Sequence, residues 1–149
     1  MKKKRILSLS LLSFSLITSC SGPSPFESLS PGLCSDKQRA AVEKHITGQI
    51  NAMADQNWSE AYQYAAPSFQ STITLDQFTN IIRTGYSMLI NNEGFEFTSC
   101  KVNEQGVEQE VEVRDGRSDY LFLYRLEVNQ SELGVAAAAI IDASVSLNT

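Results

Sequence analysis

The chain has 149 residues, 42% of them hydrophobic, with 12 Lys+Arg against 17 Asp+Glu and a formal net charge of −5. That length leaves room for one compact domain and no more once any leader is set aside. The acidic balance argues against nucleic acid as a partner, because phosphate binding needs Lys and Arg to displace counterions.

Lys2, Lys3, Lys4 and Arg5 precede an apolar run from Ile6 to Thr18, 13 residues long and containing four serines. A membrane-spanning helix needs about 20 mostly apolar residues, so the run has the form of a signal peptide. It ends in Ile17-Thr18-Ser19-Cys20, which resembles the bacterial lipobox. The resemblance implies that residues 1–19 are a lipoprotein signal peptide and that the Cys20 thiol carries the lipid. The expected location is the cell envelope, with the lipid on Cys20 holding the chain to the outer face of the cytoplasmic membrane or to the outer membrane. Two acyl chains suffice for that without a basic patch. Removing the four basic residues at 2–5 leaves 8 basic and 17 acidic residues, a net charge of −9. Neither nucleic acid nor anionic headgroups are then expected as partners. Residues 20–34 read as lipidated cysteine and flexible tether, since 21–32 is rich in Pro, Gly and Ser and lacks a structural period. A single domain is expected over 35–149.

Ser35-Asp36-Lys37-Gln38 is a capping box. The helix it opens, expected to run to about Gln56, puts Val42, Ile46, Gln49, Ile50 and Met53 on one face. Asn57-Trp58-Ser59-Glu60 starts a second, short helix that buries Trp58, Ala61, Tyr62 and Ala65, and Pro67 ends or re-aims it. Thr74-Leu75-Asp76-Gln77 is a further capping box, whose helix carries Phe78, Ile81, Ile82, Gly85 and Leu89 inward, with Tyr86 on the flank.

Strands follow. From Gly94 to Val102, Phe95 and Phe97 alternate with Glu96 and Thr98. Val107, Val111 and Val113 alternate with Glu108, Glu110 and Glu112, the pattern of a half-buried strand. A two-residue turn at Asp115-Gly116 pairs Arg114 with Arg117, Val111 with Tyr120, Gln109 with Phe122 and Val107 with Tyr124. Leu121 and Leu123 then share the face of the three glutamates. Val135 to Val145 is a last strand, small and apolar. Helices followed by antiparallel strands imply an α+β class, with the N-terminal helices packed on one face of the sheet.

Glu60-Ala61-Tyr62…Ala66-Pro67, Phe78…Ile82…Gly85-Tyr86 and Tyr124-Arg125-Leu126 resemble an uncharacterised bacterial domain family of the nuclear transport factor 2-like superfamily, over roughly Val42 to Asp142. The chain departs from such families at Leu133-Gly134-Val135, where they often carry a tryptophan; its one tryptophan is Trp58. The resemblance implies a cone-like fold, a curved sheet wrapped on helices with a pocket at the wide end. It also implies a second function class, small isomerases and dehydratases that use an Asp or His base and tyrosine donors.

Candidate pocket residues are Tyr62, Tyr86, Tyr120, Tyr124 and Asp142. The tyrosines also read as packing aromatics with wet tips, and Asp142 as a strand-end cap. His45 lies about 60° off the apolar face of the first helix, a boundary position more often than that of a base. No catalytic residue, cofactor or metal is expected. The three glutamates spread along a strand and do not converge, and two sulfurs with one histidine cannot close a zinc site. A phosphate loop, a Gly-x-Ser-x-Gly elbow and a His-Glu-x-x-His helix are all absent. The leading expectation is a membrane-anchored, non-catalytic module for a small apolar ligand or a protein partner; the isomerase-like enzyme is the alternative.

With Cys20 acylated, Cys34 and Cys100 remain, an even pair in an exported chain and hence an expected disulfide. Two inert buried thiols fit the same composition. Facing leaves the choice open. If Phe95 and Phe97 point at the helices, Cys100 points away; a four-residue turn at 103–106 pairs Val102 with Val107 and turns Cys100 inward.

Overall fold

The computed structural model describes residues 23–145, so the expected signal peptide and Cys20 lie outside the described residues. Ten elements follow one another: β1 (Gly32–Leu33), α1 (Asp36–Ala54), α2 (Trp58–Gln63), α3 (Pro67–Gln70), α4 (Leu75–Gly85), α5 (Ser87–Ile90), β2 (Gly94–Asn103), β3 (Gly106–Asp115), β4 (Ser118–Asn129) and β5 (Glu132–Val145). The strands form one open antiparallel sheet in the order β1-β2-β3-β4-β5. The class is α+β. Among the described residues no helix is long and apolar enough to cross a membrane.

The helix starts are set by their side chains. Ser35 and Thr74 close reciprocal capping boxes with Gln38 and Gln77. Asn57 caps α2 by accepting from the Glu60 backbone N–H. α1 ends in a Schellman pattern: the Asn57 N–H donates to Ala52 O and the Gln56 N–H to Met53 O, with Gln56 at φ 55. Pro67 re-aims the chain by opening α3 at its first turn. The expected third long helix is two. It breaks at Tyr86 (φ −135, ψ 36), so Leu89 is buried from α5. Ile81 is 38% exposed and Gly85 is exposed, against the inward placement expected for both.

Val42, Ile46, Ile50 and Met53 of α1 pack with Phe78, Ile82 and Leu89 onto the inner sheet face, where Val111, Val113, Phe122, Tyr124 and Leu126 are buried. The outer face carries Glu108, paired with Arg125 at 3.3 Å, together with Glu110 and Glu112.

The β3–β4 hairpin is displaced from the expected register. Asp115 pairs with Ser118, so Val111 lies opposite Phe122, Gln109 opposite Tyr124 and Val107 opposite Leu126. The turn is Gly116-Arg117, with Gly116 at φ 61 in the first central position, where a II′ turn requires positive φ. The shift is of two residues, so every side chain keeps its expected face.

In β2 the register slips between Phe97 and Cys100. Phe97 lies opposite Val111 and Cys100 opposite Gln109, so Thr98 and Ser99 share one partner residue. This bulge reverses the alternation. Phe95 and Phe97 therefore pack against the core, and Cys100 does too. Val102 pairs with Val107, as the four-residue turn requires. The Gln109 side chain, fully buried, donates to the Ser99 carbonyl and so satisfies the backbone group that the bulge frees.

Cys34 and Cys100 form a disulfide, with Cα atoms 5.4 Å apart. The expected tether is not free of the domain over its second half. Phe26 is 5% exposed within the core, Leu29 packs against it, Gln38 donates to the Pro25 carbonyl, and Gly32 and Leu33 pair with β2. Sequence composition hid this, since a Pro/Ser-rich stretch needs only one or two apolar anchors to lie down on a core.

Candidate functional site

Between the helices and the C-terminal half of the sheet lies an apolar cavity of about 210 Å³. α1 supplies Gln49 and Met53, α4 supplies Phe78, Ile81 and Ile82, and β4 supplies Tyr124. One wall is Val135, Ala136, Ala137 and Ala138 of β5. The space exists because β5 presents methyl groups where a strand of larger residues would fill it. Ile81, on the α4 side of the lining, is exposed. The start of β5 is held by a short parallel bridge: the Ala66 N–H donates to Val135 O and the Val135 N–H to Tyr64 O, each at 2.8 Å. Gly134 permits the approach, because a Cβ there would collide with the Ala66 backbone.

Of the five expected pocket residues, two line this cavity. Tyr86 stands at the α4–α5 break and meets the Phe122 ring at 6.1 Å. Tyr124 is fully buried on the inner face of β4, and its hydroxyl makes no hydrogen bond among the described residues. Burial, with a smaller contribution from neighbouring Tyr86, raises the Tyr124 pKa well above the ordinary phenol value, so the group stays protonated.

The other three do other work. Tyr62 donates to the Ile73 carbonyl at 2.6 Å and packs on Phe78, fixing the turn before α4. Tyr120 is half-buried opposite Val113 and Ala143 and does not reach the cavity. Asp142 is exposed, paired with Leu121, and accepts from the Ala143 N–H. His45 also lies outside the cavity, beside Tyr64.

Gln49 and the alanine wall were not singled out as site residues by the sequence. The signal was present in both: a glutamine on an otherwise apolar helix face, and a run of alanines in a strand. Gln49 donates to the Ala61 carbonyl at 3.3 Å. Among the described residues the cavity lining includes no Asp, Glu, His, Lys or Arg. Among the described residues no group of three His, Cys, Asp or Glu side chains is placed to hold a metal ion.

An α+β domain of helices on an antiparallel meander, with a small apolar cavity between the layers, is thus the class that fold and site define. Residues 35–144 match the family described as a domain of unknown function, DUF4864, and the chain belongs to that family. No curated protein and no solved structure matches the chain.

Proposed function

We propose that the protein is an envelope lipoprotein, anchored through the lipid on Cys20, whose domain binds a small apolar ligand without transforming it. The observation that carries the binding reading is the cavity itself. It is apolar, Ile81 of its lining is exposed, and among the described residues its ionisable lining groups are two phenols. Proton abstraction needs a base within hydrogen-bond reach of the substrate. The isomerase-like alternative would draw its base from Asp142 or His45, and both side chains lie elsewhere. The order of elements, and a cavity between helices and sheet, suit a cone of the nuclear transport factor 2-like kind.

Support for the anchor comes from the lipobox-like Ile17-Thr18-Ser19-Cys20 and from the Cys34–Cys100 disulfide, which suits an oxidising compartment. Feeding cells a palmitate analogue should label the wild-type chain and leave Cys20→Ala unlabelled; equal labelling would refute the anchor.

For the cavity, benzene is a fitting first probe, since an apolar cavity of about 150 Å³ holds it. Benzene should shift the methyl resonances of Ala136, Ala137 and Ala138 in the full-length chain, and Ala138→Leu should abolish the response. Unmoved resonances in the wild type would defeat the binding reading.

A further inference from the structure

We infer that the cavity takes a compact, uncharged ligand carrying one hydrogen-bond acceptor of the carbonyl kind, which receives the proton of the Tyr124 hydroxyl. The inference rests on the ligand-binding reading above and adds the ligand's chemistry.

Tyr124 is fully buried, lines the cavity and has a hydroxyl without a hydrogen-bond partner among the described residues. A buried side-chain donor left without a partner is uncommon in folded proteins and destabilising. The ligand atom that answers it is therefore an acceptor. Burial keeps the phenol protonated, so the donor persists at neutral pH. Gln49 Nε2, also in the lining, gives one of its two N–H groups to Ala61 O. Tyr86 lines the cavity too, and its ring, like that of Tyr124, meets the Phe122 ring. The rest is methyl, methylene and ring.

Charge excludes the commonest competitors. A carboxylate or phosphate would enter a site to which the described residues bring no Lys, Arg or His, and burying an unpaired anion is prohibitively unfavourable. Size narrows the class further. Scaling from the cavity of about 150 Å³ that holds benzene, this one suits about eight to ten heavy atoms. A small ketone, aldehyde or ester with an apolar body meets each condition.

Three probes of equal size separate the possibilities: acetophenone, its apolar counterpart isopropylbenzene, and benzoate. Each is titrated into the full-length chain and followed by the Ala136–Ala138 methyl resonances. Acetophenone should bind about fivefold tighter than isopropylbenzene, the net value of one ordinary hydrogen bond. Benzoate should bind more weakly than either. In Tyr124→Phe the preference for acetophenone should vanish while isopropylbenzene keeps its affinity. Equal binding of the two neutral probes by the wild type would overturn the carbonyl assignment and leave an apolar binding cavity standing. Tightest binding by benzoate would overturn the exclusion of anions. If neither neutral probe moves the resonances, the cavity reading and this inference fall together.

Discussion

His45 sits on the flank of α1, where its Nε2–H donates to the Tyr64 carbonyl oxygen at 2.9 Å and its ring meets the Tyr64 ring edge-on at 5.1 Å. Burial lowers its pKa below the ordinary 6.5, and the hydrogen bond to Tyr64 opposes that in part. The unfolded chain then takes up the proton at higher pH than the folded one. Stability from this group is complete above about pH 6.5 and is lost as pH falls through the lower, folded value. The urea midpoint should drop between pH 7 and pH 5 in the wild type, and drop less in His45→Gln. Equal drops would show that the imidazole is uncoupled from folding. The flank position was legible from helical spacing alone. Its partner was not, because Tyr64 reaches it only through the turn between α2 and α3.

At the scale of elements, the hairpin of β3 and β4 separates what local pattern determines from what it leaves free. Alternation of Val with Glu assigns faces, and a displacement of two residues preserves them. The sequence therefore assigned Phe122 inward and Leu121 outward correctly while misplacing the turn by one residue on each strand. Phe122 is 0% exposed and Leu121 half-buried. Phe122→Ala should destabilise the protein by about 1–3 kcal/mol more than Leu121→Ala, given the usual penalty of large core truncations. A reversed order in urea melts would mean that β4 presents its other face.

The bulge in β2 was not legible in the same way. Cys100 could reach Cys34 only if alternation failed once between Phe97 and Cys100, and no residue type there announces it. Gln109 was the indirect sign. A glutamine among inward valines needs a partner, and the carbonyl that the bulge frees at Ser99 provides one. The capping residues, by contrast, act within four residues of themselves. That is why the starts of α1, α2 and α4 could be read directly.

Across the whole molecule, the N-terminal segment and the sheet are joined three ways: by the disulfide, by the pairing of β1 with β2, and by Phe26 in the core. Gly32 and Leu33 are thus fastened at the β2 edge of the sheet, while Ser24, farther toward the N-terminus, donates to the Ser131 carbonyl in the turn between β4 and β5. The cavity was half legible: Tyr86 and Tyr124 were foreseen, whereas the alanine wall matters only once β5 faces the helices.

The Tyr124 hydroxyl, buried and without a partner among the described residues, is the group that the proposed ligand would satisfy. Such a group destabilises the free protein, since a buried donor without a partner costs about 1–3 kcal/mol. Tyr124→Phe keeps the ring packing against Phe122 and removes only that oxygen. Equilibrium urea unfolding of the full-length chain, without added ligand, should therefore show Tyr124→Phe to be more stable than wild type by about 1 kcal/mol. A variant less stable than wild type by that amount would mean that the hydroxyl is already satisfied within the protein, and the cavity would lose its polar end.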